Sequence, residues 1–486
     1  MFSRRFSHYL PYALICSAVI FASSSFATSE EFKKWKQERQ AEYLDYLTSD
    51  QKAFHDALKK DWEDMRTQAG KKAFTEPKID IPPVAPEPTT PQPDLTPIPE
   101  IVIDIPIPSP VVPIPEPEPL PEIEPIIEDS SIQFDYLGLS FQLPELESWN
   151  NPINTPSSDV IADTWAQNIT SIHQASVTLK HYANEYDLPD WALISVTDIY
   201  AKQLTNNNEN NSQFIVWALL LDMGYDVRLG YDNSDIFLLI PSQQKIFSKK
   251  SITSNDVTYY TLIGKQPMNS LYTYQQDSGD KKSFDFSFSK PLVSTQLSSQ
   301  KHTLKDDKND TELSYFVYSQ LNEYYRHHPQ LEFNWYFKAH PTSANYLSLV
   351  DQLKQALDGK PERVQVQTIL SLIQFGFEYE LDVDQWGEEY YAAPMHTLML
   401  RAADCEDRAF LFSFLVEEVV GLKTVGLHYP GHLAAAVAFT NNSGVSGKYV
   451  MLEGERYYVT DPTYIGASIG DEMPQYDTVA PKLITY

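Results

Sequence analysis

At 486 residues the chain is long enough for two or three domains. Its 66 acidic residues outnumber 37 basic ones, for a formal net charge of −29. Such a chain is repelled by nucleic acid and by anionic membrane surfaces, which excludes those partners without selecting a function.

Residues 1–27 read as a secretory signal. Arg4 and Arg5 open it, Tyr12 to Ala22 form an apolar stretch, and Ser25-Phe26-Ala27 offers a small-x-small cleavage site. The apolar run is too short and too interrupted for a transmembrane helix. Ser3-Arg4-Arg5 lacks the residues that complete a twin-arginine signal, and bulky Ile15 makes Cys16 a poor lipidation site. No later segment is apolar enough to span a bilayer, so the expectation is a periplasmic or otherwise exported protein. Cys16 leaves with the signal, and Cys405 is then the single cysteine, with no partner for an internal disulfide. Taken alone, a lone cysteine is most often a small buried hydrophobe.

Residues 28–76 carry Phe32, Trp35, Tyr43, Tyr46, Phe54, Leu58, Trp62 and Met65 at helical spacing, which predicts one long amphipathic helix or a helical pair. Such a helix packs on something, itself or a partner; its polar face is not basic enough for a membrane surface. Residues 77–127 hold 18 of the chain's 34 prolines. Proline fixes φ and removes backbone donors, so no packed core is expected there. The reading is an acidic, semi-rigid polyproline II tether reaching roughly 150 Å at ~3.1 Å per residue.

Residues 128–283 begin a globular α+β region. Helical pattern runs over Val160 to Tyr182, Trp191 to Leu204 and Phe214 to Met223, followed by strands at 226–230, 236–240 and 258–262. Residues 284–342 lean to β, at Phe284 to Phe288 and Leu331 to Phe337, with a helix near 313–326. From 343 to 486 helices resume at 343–357 and 361–376 and lead into the chemistry-bearing segments.

Three segments near the end fit together. Ala403-Asp-Cys-Glu-Asp-Arg-Ala409 opens an apolar helix from Phe410 to Val420. Asp404 reads as its N-cap and Asp407 as a capping-box partner. Cys405 then lies in the first turn, where free N–H groups and the helix dipole favour a thiolate. Tyr429-Pro-Gly-His-Leu433 delivers His432 to the start of a strand through a Pro-Gly turn. In Arg456-Tyr-Tyr-Val-Thr-Asp461-Pro, Asp461 closes a strand that the proline stops. Singly, such a histidine or aspartate is usually structural; together they supply a nucleophile, a base and an orienting carboxylate. Bringing the start of one strand beside the end of another needs an odd number of reversals between His432 and Asp461. Of the two candidate turns, Asn441 to Gly444 is inferred to be a loop excursion and Glu453-Gly454 the hairpin. Asp404, Glu406 and Asp407 oppose thiolate formation, so Arg408 and protonated His432 are expected to compensate. His428 and His432 are four apart, but Pro430-Gly431 between them argues against a zinc pair on one helix face. Neither metal nor cofactor is expected.

Asp404-Cys-Glu-Asp-Arg408, Pro430-Gly-His432 and Thr460-Asp-Pro-Thr-Tyr464, in that order and spacing, resemble the transglutaminase-like (papain-related) cysteine enzyme superfamily. Ile373 to Tyr379, Asp384-Gln-Trp-Gly387 and Pro394 to Leu398 are similar to its bacterial multidomain branch. The resemblance implies a papain-like α+β core, its cysteine-bearing helix packed on an antiparallel sheet, with Cys405 as nucleophile, His432 as base and Asp461 as orienter. For the oxyanion, the Cys405 N–H is one candidate donor, and Gln385, Trp386 and Tyr391 are candidates for another or for substrate contact.

Residues 190–262 echo the helix–strand–strand order of this unit, with Asn210 or Asn211 near the place of Cys405 and no His or Asp motif after it. The expected function is thus an exported thiol hydrolase, a peptidase or amidase, acting on a protein or peptide, cell-wall peptide included. The alternatives are a protein-crosslinking transamidase and a binding or assembly module with a vestigial site.

Overall fold

The computed structural model describes residues 47–60, 62–86, 131–146, 153–275, 281–290, 292, 297–339, 344–440 and 444–486. The expected signal, the start of the expected N-terminal helix, the proline-rich arm beyond residue 86 and most of the Asn441–Gly444 turn lie outside them.

The first described helix, α1 (Ser49–Lys60), buries Leu58 and sets Phe54 edge-on against Trp165, 5.0 Å between ring centroids. The expected helix does not continue through Trp62 and Met65. Trp62–Arg66 is strand β1, paired antiparallel with Ser270–Tyr274. Trp62 packs on Tyr231 and Tyr274, whereas Met65 joins the opposite apolar cluster around Tyr259 and Leu271. Residues three apart share a helix face but occupy opposite faces of a strand, and the sheet here has an apolar layer on each side.

A hairpin of β2 (Ser131–Tyr136) and β3 (Leu139–Pro144) leads into α2 (Ser158–Glu185), whose cap Ser157 accepts from the Val160 amide. Helices α3 (Asp190–Leu204) and α4 (Glu209–Asp222) follow, then β4 (Arg228–Tyr231), β5 (Ile236–Pro241), β6 (Ser251–Ser254), β7 (Val257–Tyr260) and β8 (Ser270–Tyr274). The three helices and β4, β5 and β7 fall within a few residues of their expected places, whereas β2, β3, β6 and β8 were not expected.

The connecting region departs further from expectation. Strands β9 (Ser299–Asp306) and β10 (Thr311–Tyr318) form a hairpin where a helix from 313 was expected. In β10, Thr311, Leu313, Tyr315 and Val317 are buried in strict alternation, a period of two that favours the strand. The helix starts later, as α5 (Gln320–Arg326). Leu331–Phe337, read as β, instead contains α6 (Phe333–Phe337), which buries Phe333, Tyr336 and Phe337 at helical spacing. Helices α7 (Ala344–Leu357), α8 (Glu362–Gly376), α9 (Asp382–Trp386), α10 (Pro394–Thr397) and α11 (Cys405–Leu415) complete the helical layer, α11 ending in a π turn at Val416–Val420. Strands β11 (Thr424–Tyr429), β12 (His432–Ala438), β13 (Tyr449–Leu452), β14 (Glu455–Thr460) and β15 (Lys482–Ile484) close the chain.

The fold is therefore α+β, and its two larger sheets share a topology. One has the order β6-β7-β5-β4-β8, with β1 added at the edge; the other has β13-β14-β12-β11-β15. Every neighbouring pair is antiparallel in both, and a helix precedes each set (α4 and α11). By register, Ile236 stands where His432 stands, and Leu262 where Asp461 stands. Counting from the first helical residue, the counterpart of Cys405 is Glu209, one residue before the expected asparagines. Asn210 and Asn211 instead accept from the amides of Ile236 and Ile153. The N-terminal unit thus repeats the framework without its chemical groups.

Phe410, at the centre of α11, is fully buried and stacks on Tyr336 at 5.0 Å. Phe410→Ala is expected to lower stability by about 3–5 kcal/mol, read as a lowered midpoint for the C-terminal unit in denaturant unfolding.

Candidate active site

The pairing of β12 with β14 decides where His432 and Asp461 meet. Ala435 faces Thr460 across an antiparallel ladder, so the start of β12 lies beside the residue that follows β14. The reversal between them is the β13–β14 hairpin at Glu453-Gly454, both with positive φ, as the odd-reversal requirement called for. His432 Nε2 lies 2.8 Å from Asp461 Oδ2, with both side chains buried.

Local chemistry fixes this carboxylate. Asp461 Oδ1 accepts from the Thr463 amide at 2.9 Å and the Tyr464 amide at 3.3 Å, an Asx turn that leaves Oδ2 for the imidazole. Buried Gln374 donates to the carbonyls of Asp461, Tyr464 and Ala467, and Arg408 donates to those of Pro462, Gln374, Phe377 and Ala403. Arg408 is therefore a clamp on backbone carbonyls whose charge also acts on Asp404, Asp461 and Cys405. Burial pulls its guanidinium down to about 10, so it remains charged at neutral pH. The imidazole of His432 stacks on Tyr476 at 5.4 Å and 10°.

With Nε2–H directed to Asp461, the proton-accepting atom of neutral His432 is Nδ1, which is buried without a hydrogen-bond partner. The amide of the next residue, Leu433, donates to the Cys405 sulfur. Cys405, the first residue of α11, is fully buried. His428 pairs across the ladder with Leu433 while Tyr429 pairs with His432, so the two histidines sit on opposite faces of the sheet. His428 packs instead against Phe74 and Phe333.

The acids around the thiol do not cap the helix. Asp404 occupies the N-cap position, yet its side chain makes no capping hydrogen bond. Asp407 accepts from the Ala392 amide at 2.7 Å. Glu406 accepts from the Cys405 thiol at 3.1 Å. The balancing cation is Lys78, in the segment expected to begin the free tether. Its ammonium lies 2.7 Å from carboxylates of Asp382, Glu389 and Asp404 and also pairs with Glu406. Carboxylate oxygens of Asp382, Glu389 and Glu406 lie within 4.8 Å of one another, as do those of Asp382, Asp404 and Asp407, close enough for a cation to bridge. A solitary basic residue at the mouth of an acidic, proline-rich stretch was the available signal for Lys78.

Burial, then Glu406 and Asp404, push the Cys405 thiol well above its ordinary range, against the opposing pull of Lys78 and the Leu433 amide. Burial and then Asp404 likewise raise the carboxyls of Asp382, Glu406 and Asp407, which favours protons staying within the cluster. The expected second-site candidates are engaged elsewhere. Tyr391 Oη accepts from the Ala73 amide, Trp386 packs on Tyr390 and under Arg326, and Gln385 sits half-exposed on α9. Among the described residues none of the three is hydrogen-bonded to Cys405 or His432.

Comparison with models of protein families, with curated proteins and with solved structures returns no match.

A raised thiol pKa leaves little thiolate at neutral pH. Iodoacetamide labelling of native Cys405 is expected to run at least ~10-fold slower at pH 7 than in the unfolded chain, since each pKa unit is a factor of ten in thiolate. The rate is expected to keep climbing with pH for as long as the protein stays folded. Intact-mass time courses check this.

Proposed function

We propose that the chain is an exported thiol hydrolase of transglutaminase-like (papain-related) type that cleaves an amide in a protein or peptide through an acyl-Cys405 intermediate. The observation that carries the proposal is the buried His432 Nε2 to Asp461 Oδ2 contact of 2.8 Å, which leaves Nδ1 free while the neighbouring Leu433 amide engages the Cys405 sulfur. The three-part motif supports the same reading, as does a cysteine at the N-terminus of a helix packed on an antiparallel sheet whose adjacent strands carry the other two groups.

In this mechanism His432 Nδ1 removes the Cys405 proton and the thiolate attacks the amide carbonyl carbon. The C–S bond forms and the oxyanion faces the N–H groups of the first turn of α11. Collapse breaks the C–N bond, and the His432 imidazolium gives its proton to the departing amine. Water, deprotonated by the same nitrogen, then attacks the thioester and releases the acid with Cys405 as thiol. Asp461 holds the tautomer that makes both transfers possible and stabilises the imidazolium. This cycle needs no cofactor.

The test is acyl-enzyme trapping with a peptide-amide library and sequencing of the adduct. The adduct is expected on Cys405. His432→Ala is expected to slow its formation by about 10³-fold and Asp461→Asn by a similar order. An adduct that forms equally well on His432→Ala protein sinks the proposal, and a site inert to the whole library in both the wild type and Lys78→Ala favours a binding module.

A further inference from the structure

Residues 73–86 cross the site as a strap. The Ala73 amide donates to Tyr391 Oη, the Pro77 carbonyl lies against Gly431, Ile79 O accepts from Tyr379 Oη at 2.7 Å, and Ala85 and Pro83 exchange hydrogen bonds with Ile465. Gly431 has φ +67°, and a β-carbon there would collide with Pro77 O, so the turn that delivers His432 is also shaped to admit the strap. These backbone ties form no ladder, and Ile81 and Val84 remain 82% and 73% exposed. Two of its side chains reach inside: Phe74, packed among Phe333, Tyr391 and His428, and Lys78, the one that enters the acidic pocket.

The pocket it fills holds four acids, of which Asp382 also accepts from the Tyr390 amide. They come from α9 (Asp382), the loop after it (Glu389), and the start of α11 (Asp404 and Glu406), and all converge on one nitrogen. Gathering like charges in a dry site is costly unless a cation is present. Asp404 Oδ1, on a side chain with no exposure, is left with no hydrogen-bond partner. Glu406 joins this pocket to the nucleophile, pairing with Lys78 through one oxygen and accepting from the Cys405 thiol through the other.

We propose that this pocket is a recognition site for a primary ammonium on the substrate, a lysyl-type side chain or a diamino acid, and that residues 73–86 fill it as an internal stand-in until substrate displaces them. The proposal rests on Cys405 being the nucleophile. The ammonium is held for recognition and is not the attacking amine. Burial alone would lower the pKa of an amine here, but Asp404, Glu406 and Asp382 outweigh it and hold Lys78 well above its ordinary value. An amine kept protonated has no lone pair with which to attack a thioester. The scissile amide accordingly lies beside a positively charged substituent, and water remains the acceptor.

The test uses the full chain and two thiol reagents of similar size, 2-aminoethyl methanethiosulfonate (cationic) and propyl methanethiosulfonate (neutral). Each labelling rate at Cys405 is read by intact mass and divided by the rate in the guanidinium-unfolded chain. In the wild type both are expected to be slow. Lys78→Ala, which empties the pocket, is expected to accelerate both and to favour the cationic reagent at least tenfold. 1-Aminobutane at constant ionic strength is expected to suppress that preference. Lys78→Met, which keeps the apolar stem, repeats the measurement should the alanine variant not fold. Equal normalised rates for the two reagents in a folded Lys78 variant overturn the ammonium site, and wild-type rates that match the variant's overturn the strap. Neither readout requires turnover, so both are separable from failure of the acyl-enzyme reading, which the His432→Ala comparison decides.

Discussion

The start of α11 gathers Asp404 and Glu406, with Asp382 facing them, around a buried sulfur, and this concentration of like charge is tolerable because the ammonium of Lys78 lies among them. Much of the C-terminal architecture follows from that one arrangement. The strap must run where it does to deliver the cation, the Pro430-Gly431 turn must leave room for it, and Tyr379 and Tyr391 must offer their hydroxyls to its backbone. The thiol is the group most exposed to the balance, since its proton is shared with one of the four carboxylates. Burial and the neighbouring carboxylates favour its protonated form.

A second constraint is geometric. Residues 29 positions apart are brought within 2.8 Å by a single antiparallel register, and the Asx turn at Asp461 sets which carboxylate oxygen faces the ring. Gln374 and Arg408 hold that turn from behind through backbone carbonyls. Both are buried polar groups with many partners, the condition under which such groups add rigidity without a large penalty.

How much was legible in the sequence depended on how local the cause was. The helices at 344–357 and 362–376 and the strands around residues 230, 238 and 258 carry their periodicity in a short window and fall where the pattern put them. The meeting of His432 with Asp461 was legible because counting reversals needs only turn chemistry. Trp62–Arg66 was not, since an apolar spacing of three, Trp62 and Met65, fits a helix face and a strand with two apolar sides alike. Thr311–Tyr318 alternates cleanly, but neighbouring apolar residues blurred its boundary with α5. The aspartates at 404 and 407 satisfied the local rule for caps, yet their partners are Lys78, 326 residues away from Asp404, and the Ala392 amide. Composition hid Lys78 as well: proline removes donors, but an irregular segment can still be held by its remaining backbone groups, a buried aromatic and a charged side chain.

The two ends of the strap are fastened very differently. Upstream it continues from β1, through the paired backbones of Gln68 and Ser251 and a further bond between Ser248 and Lys71. Downstream, two hydrogen bonds to Ile465 hold the last residues. A pull on the chain from beyond residue 86 would therefore open the contacts one at a time, as tape lifts from a surface, at low force. A pull from the other side would load a ladder in shear, where all bonds resist at once. The order in which the strap's contacts would part thus depends on the end from which it is drawn.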